Sequence, residues 1–311
     1  MNMVKISVIV ASRDAAGTIK KCLDSLLALD YPDYEVMVVD DGSKDDTPAI
    51  LKQFADRIIL ITNSSPLGPS RSRNAAARLA LGEYIAFTDA DCIVDKFWLK
   101  ELLTGFSASG VVSSGGSQGI PQDESGFGRR VSKFMRKTGF IVDYMRIDKG
   151  RILKVGHNPS CNVMYKKDIF LGEGGFCEGL WPGEDVEIDY RLRKKGHTLV
   201  FNPKALVYHY RPDNLKKFSR MMFRYGLVQG FLVRKYGMFR KLHFLPIVSV
   251  IFILMFLSLG YLNSFLFFLL LAAVSALAAV YLADYYLLLL AIVTLAFWHA
   301  GFVKGFSRHT L

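Results

Sequence analysis

The sequence predicts an α/β domain built on a mostly parallel sheet, followed by a helical segment of membrane-spanning length. Three observations carry that expectation. Short apolar runs alternate with helical patterns up to Thr88, as in sheets with helices on both faces. Each run delivers hydroxyl or acidic residues at its carboxyl end, where ligands bind in open α/β sheets. Finally, Phe244 to Val303 is apolar almost without a break.

Val4–Val10 is nearly unbroken in apolar character, as a central parallel strand should be, and it runs into Ser12 and Arg13. Thr18–Leu29 places Ile19, Cys22, Leu23, Leu26 and Leu27 at helical spacing. A second strand, Tyr34–Val39, ends in Asp40-Asp41-Gly42-Ser43, and Thr47-Pro48 opens the next helix as N-cap and first-turn proline. Arg57–Thr62 is a third strand, Gly68–Leu81 a third helix and Glu83–Thr88 a fourth strand. No Gly-x-Gly-x-x-Gly follows the first strand, which argues against a dinucleotide Rossmann site.

After the fourth strand come Asp89 and Asp91, two residues apart and on one side of an extended chain. Two hard carboxylates at a sheet's mouth suit Mg²⁺ or Mn²⁺, although an Asp-x-Asp also ends strands without any metal. Arg71 and Arg73 open the third helix with positive charge suited to a diphosphate.

Residues 105–126 are rich in Gly and Ser and are expected to be a change of composition rather than a core element. Beyond them Phe127, Val131, Phe134, Met135 and Met145 share a helical face, with Arg129, Arg130, Lys133, Arg136 and Lys137 interleaved. That pattern fits a helix in a membrane interface or a basic helix packed on the domain. Gly183-Glu184-Asp185 opens another helix, where acids complement the dipole or supply a general base. His209 ends a strand, and its role is structural or functional.

The 311 residues are 51% apolar with net charge +11. Arg129–Lys154 holds nine Lys/Arg against two Asp, and Lys204–Lys241 ten against one. With a long apolar tail, such charge points to anionic lipid or phosphorylated substrates and away from nucleic acid. Cys22, Cys92, Cys161 and Cys177 lack zinc spacing and are expected to be reduced, buried thiols. Ile6–Ala11 is too short for a secretory signal, so the first domain is expected in the cytoplasm and the Asn63-Ser64-Ser65 sequon unused. Polar breaks at Asn263-Ser264 and Asp284 divide the tail into three short crossings. Basic residues at both ends, Arg234–Lys241 and Lys304–Arg308, favour two long ones.

Taken together, the chain resembles a family 2 glycosyltransferase of the GT-A fold over about residues 4–230. The resemblance rests on Val8–Arg13, Val39–Thr47, Ser72-Arg73-Asn74, Gly82–Asp91 and Gly183-Glu184-Asp185, in that order and spacing. It implies a catalytic domain at 1–230, a basic juxtamembrane segment at 231–243, transmembrane helices within 244–303 and a short tail at 304–311. It further implies that Asp41 contacts the nucleotide base, with Ser12 and Asp40 nearby and Arg73 by the diphosphate. Asp89 and Asp91 are then the Asp-x-Asp pair, with Asp91 gripping a Mn²⁺ or Mg²⁺ ion, His209 a further ligand and Asp185 the catalytic base.

The Gln-x-x-Arg-Trp signature of processive synthases is absent, the nearest text being Arg224-Tyr225-Gly226, so transfer of single sugars is expected. Ala11-Ser12-Arg13-Asp14 also departs from the family's usual residues after the first strand. The expected partners are a nucleotide-diphosphate sugar, a lipid-linked or glycan acceptor, and the membrane. Alternative functions are a synthase acting on a polyprenyl phosphate, a sugar nucleotidyltransferase, and a non-catalytic membrane scaffold. The retained acid set argues against the scaffold.

Overall fold

The computed structural model describes residues 5–139, 150–282 and 284–308. These fall into two compact units, one drawn from residues 1–124 and 147–210, the other from 125–146 and 211–311.

The first unit is built on a nine-stranded sheet. Its strands are β1 (Ile6–Ser12), β2 (Tyr34–Asp40), β3 (Ile59–Thr62), β4 (Tyr84–Asp89), β5 (Cys92–Val94), β6 (Val111–Gly119), β7 (Leu153–Val155), β8 (Val163–Lys166) and β9 (Thr198–His209). Their order is β3-β2-β1-β4-β8-β6-β9-β5, with β7 also on β9. The four strands legible in the sequence pair in parallel. β8 then runs antiparallel to both β4 and β6, which makes the other half mixed.

Side-chain alternation assigns each strand two faces. Ile6, Val8 and Val10 of β1 join one core with Cys22, Leu23 and Leu26 of helix α1 (Ile19–Leu26). Ile9 faces the other core with Met37, Val39 and Phe87. That second core also takes Ala76 and Ala77 of α3 (Pro69–Leu79), which follows the short α2 (Thr47–Lys52). Burial on both faces explains why these strands read as near-continuous apolar runs. Helices α4 (Trp98–Thr104), α6 (Lys167–Gly172) and α7 (Glu184–Lys194) belong to the same unit.

One expectation is corrected. Within residues 105–126, β6 is a core strand whose first six residues are buried between β8 and β9. Its small residues serve close approach. A Cβ on Gly116 would stand 1.9 Å from the Ala205 carbonyl oxygen, and one on Gly115 2.3 Å from Asn158 Oδ1.

The second unit is helical: α5 (Gly126–Thr138), α8 (Leu215–Tyr236), α9 (Leu245–Leu262), α10 (Ser264–Leu282) and α11 (Tyr285–Phe306). The basic helix α5 buries Val131, Phe134 and Met135, and Phe134 meets Phe218 of α8 edge to face. Arg130 lies over the ring of Tyr286 and Lys133 pairs with Asp284 at 3.8 Å, so α5 packs on its neighbouring helices. Met145 lies outside the described residues. The sequence breaks fall at helix ends: Asn263 separates α9 from α10, and Asp284 caps α11 by accepting from the Tyr286 N–H. Among the described residues, two helices, Lys241–Leu262 and Tyr285–Phe306, are long and apolar enough to cross a membrane.

Helices α8 and α11 meet along two small-residue ladders, Gly226-x-x-x-Gly230 and Gly301-x-x-x-Gly305. A Cβ on Gly226 would lie 1.9 Å from the Trp298 carbonyl oxygen, and one on Gly305 1.8 Å from that of Leu227. Such backbone contact is what small-x-x-x-small pairs permit. Gly305→Ala is therefore expected to force the helices apart at a cost of about 1–3 kcal/mol. At roughly 2–4 °C per kcal/mol, a melt in detergent should drop by several degrees. An unchanged melting temperature would show that the seam is looser than this packing.

Candidate active site

Of the predicted residues, Ser12, Asp40 and Asp89 end β1, β2 and β4, with Asp41 and Asp91 just beyond, while Arg73, Asp185 and His209 come from α3, α7 and β9. The parallel register sets Ser12 beside Asp40 and Ala11 beside Asp89. Ser12 Oγ is buried and has no hydrogen-bond partner among the described residues. Asp40 is buried and accepts from the Ser43 N–H at 3.1 Å. A cavity of about 620 Å³ opens beside it, lined by Ser43, Thr62, Asn63 and Pro66 among others. A second cavity, of about 480 Å³ and lined by Tyr34, Glu35 and Arg57 among others, contains none of the predicted residues.

Asp41 has a different setting. Its carboxylate accepts from the N–H groups of Leu67 and Gly68, from Asn63 Nδ2 and from Ser72 Oγ, at 2.8–3.0 Å. Burial pushes its pKa up, but the four donors outweigh that and hold the carboxyl below its usual range. Asp41 thus ties the 63–68 loop and the start of α3 to the end of β2.

Arg73 and Glu184 organise the opposite side. The Arg73 guanidinium is buried and donates to Asp89 Oδ1 at 2.5 Å and to Glu184 Oε1 at 2.7 Å. Its charge is therefore taken up inside the protein, while exposed Arg71 stands 3.8 Å from Glu178. Glu184 also accepts from Ser160 Oγ at 3.1 Å. Burial, aided by the neighbouring Asp185 charge and opposed by Arg73, pushes its pKa up to about 7.

Asp185 sits one residue on, in the first turn of α7, where the helix dipole favours carboxylates. Its oxygens accept from the Val186 N–H at 2.7 Å and the Ser160 N–H at 3.0 Å. His157 Nε2 stands 3.9 Å from Asp185, and His157 Nδ1 contacts Asp189 Oδ2 at 3.0 Å. Asp189 is fully buried, which raises its pKa, although His157, the Asn158 N–H and the Tyr165 hydroxyl all bond to it.

Asp91 and His209 are far apart in sequence and meet because β5 pairs antiparallel with β9. The Tyr210 N–H donates to the Asp91 carbonyl at 3.1 Å, and His209 Nε2 lies 3.3 Å from Asp91 Oδ1. Ligand atoms of Asp89, Asp91 and His209 all fall within 4.8 Å of one another. Two carboxylates and an imidazole fit a divalent cation, and the nitrogen donor suits Mn²⁺ better than Mg²⁺.

His157 and Asp189 were not assigned from sequence, and Glu184 was named there only among the acids of a helix start, without its bond to Arg73. Asp189 carried a usable signal, being four residues after Asp185 on the same helical face. His157 carried none, since it reaches the site from the loop between β7 and β8.

A parallel half-sheet joined to a mixed half, with an Asp-x-Asp turn at the end of the strand that links them, is the architecture of the GT-A class. The mannosyltransferase PcManGT of Pyrobaculum calidifontis, solved with GDP-mannose and Mn²⁺, shares this fold with a TM-score of 0.72 at 20% identity, covering 98% of this chain and 88% of its own. The family model for glycosyl transferase family 2 matches residues 7–172, and the chain belongs to that family. Glycosyltransferase AglE of Haloferax volcanii is 29% identical over 203 residues, which is 63% of this chain and 64% of AglE. The glucosyl-dolichyl phosphate glucuronosyltransferase of the same organism is 22% identical over 244 residues, 74% of this chain and 77% of that protein. The match to AglE thus spans under two thirds of that relative.

Proposed function

We propose that the protein is a membrane-bound inverting glycosyltransferase that moves one sugar from a nucleotide-diphosphate sugar to a hydroxyl of a lipid-linked or glycan acceptor. The observation that carries this reading is the Arg73 bridge, which joins the Asp89–Asp91–His209 cluster to the Glu184–Asp185 helix start. It couples a site for the donor's diphosphate to a site for the acceptor.

The nucleotide end falls to Ser12, Asp40 and Asp41, with Asp41 fixing the loop against which the base packs. Asp89, Asp91 and His209 would hold a divalent cation, which when bound supplies several kcal/mol of charge stabilisation to the leaving diphosphate. Asp185 accepts the proton of the acceptor hydroxyl as its oxygen attacks the anomeric carbon, opposite the departing diphosphate. One displacement of this kind inverts configuration. The spanning-length helices support attachment of the chain to a membrane, and the dolichyl-phosphate-linked sugar in the name of one relative supports a lipid-linked acceptor.

A phosphate acceptor is disfavoured by the local charge. Asp185 lies beside Glu184, whose charge is shared with Arg73, and one helical turn from Asp189. Glu184 and Asp189 are buried, so an anionic phosphate would meet the partly exposed Asp185 carboxylate there. The full chain in detergent with Mn²⁺, offered a panel of nucleotide sugars and hydroxyl acceptors, is expected to release nucleoside diphosphate. No release of nucleoside diphosphate, together with formation of a nucleotide sugar and pyrophosphate from a nucleoside triphosphate and a sugar 1-phosphate, would mark a nucleotidyltransferase and overturn the proposal.

A further inference from the structure

We propose that Cys92, Cys161 and His209 form a second cation site, selective for a soft divalent ion such as Zn²⁺, which excludes the harder ion by claiming His209. Ligand atoms of these three residues lie within 4.8 Å of one another. The fold holds them there. Cys92 opens β5 directly opposite His209 in the β5–β9 register. Cys161 enters just before β8, and its carbonyl accepts from the Thr88 hydroxyl at 3.0 Å. Sequence spacing could not announce such a site, because its ligands come from three distant stretches.

Geometry and charge both suit the ion. With Zn–S near 2.3 Å and Zn–N near 2.0 Å, tetrahedral ligands stand roughly 3.3–3.8 Å apart, so closing the site needs a contraction of at most about 1.5 Å. Binding sends both thiol protons to solvent and leaves two thiolates, one neutral imidazole and a 2+ ion. The assembled site carries no net charge, which removes the burial penalty that a lone thiolate would meet. Both cysteines are nearly inaccessible, but His209 and Asp91 are 16% and 47% exposed at their side chains, so an ion reaches the thiols from the acidic side. Thiolates then select the soft ion, and the carboxylates of Asp89 and Asp91 the hard one.

His209 belongs to both sets. A neutral imidazole offers one lone pair, and its other nitrogen carries the proton. A soft ion on His209 therefore removes it from the Asp89–Asp91 cluster, whichever nitrogen each ion takes. The thiol site stands without the transferase reading; only its effect on Mn²⁺ rests on that reading.

The test uses the detergent-solubilised full chain under reducing conditions, with Co²⁺ as the spectroscopic probe. One equivalent is expected to give the thiolate-to-cobalt charge-transfer band, and Zn²⁺ should bleach it. Cys92→Ser and Cys161→Ser should each weaken this binding at least ~10²-fold, the upper end of what even an outer-shell loss costs, while Asp91→Asn retains the band. Free-Mn²⁺ paramagnetic resonance then reads the other site. With one equivalent of Zn²⁺ bound and none free, the wild type should bind Mn²⁺ at least tenfold more weakly than its zinc-free form, while zinc-free Cys161→Ser binds Mn²⁺ as the zinc-free wild type does. Absence of the band in the wild type, or its persistence in the double serine variant, overturns the thiol site. A thiol-dependent band without any effect on Mn²⁺ overturns the sharing of His209. If the wild type binds no Mn²⁺ at all, the proposed function fails at its cation, and the cobalt band alone decides the thiol site.

Discussion

Asp91→Ala is expected to lower sugar transfer about 10³-fold and to abolish Mn²⁺-dependent binding of the nucleotide sugar, while the fold survives. Asp91 is half-exposed in the turn between β4 and β5, so its removal opens no core cavity. Asp89 is already engaged by Arg73, and His209 alone adds one neutral nitrogen. A cation held by that remnant keeps little affinity, and the stabilisation it supplies to a leaving diphosphate is several kcal/mol. At about 1.36 kcal/mol per decade, that loss is of order 10³ in rate. Turnover within tenfold of wild type at saturating Mn²⁺ would remove Asp91 from the cation site. The His209→Ala variant should lie between the two, because both carboxylates remain.

Which parts of the site could be read in advance depended on which interactions are local. The carboxyl ends of β1, β2 and β4 were legible because parallel strands buried on both faces announce themselves as apolar runs, and Ser12, Asp40 and Asp89 follow directly. β6 was not legible. Its Gly115 and Gly116 exist to let Asn158 and Ala205 approach the backbone, and without that partner they look like a loop. The nearness of His209 to Asp91 is a property of β5–β9 pairing across more than a hundred residues, which no spacing encodes. Arg73 was assigned by its place at the head of α3, but only the folded site shows that Glu184 and Asp89 share its charge. The polar breaks near Asn263 and Asp284 were legible as helix ends, because an apolar helix there has few other places for an amide or a carboxylate. By contrast, the expected domain limit at residue 230 falls inside α8, whose glycine ladder serves α11 rather than the sheet.

Asp185→Asn is expected to reduce the turnover number by 10²–10⁴-fold on a hydroxyl acceptor, the range typical of general-base contributions, with nucleotide-sugar affinity little changed. The carboxylate has two oxygens, one held by the Val186 N–H and the other by the Ser160 N–H, so it is fixed in orientation before any acceptor arrives. An asparagine keeps the size and one acceptor oxygen, but its amide cannot take a proton from an attacking hydroxyl. The loss should therefore appear in the chemical step and not in donor binding, which the proposal assigns to residues other than Asp185. His157 stands 3.9 Å from Asp185, beyond hydrogen-bond distance, and is itself tied to buried Asp189. His157→Gln should accordingly cost less than Asp185→Asn, since backbone donors still orient the base. A phosphate acceptor would invert this pattern, for its oxyanion needs no base and is repelled by a carboxylate; Asp185→Asn would then be mild or even faster. Single-turnover rates on hydroxyl and phosphate acceptors separate the two chemistries. A loss smaller than tenfold on the acceptor actually used would show that Asp185 is not the base.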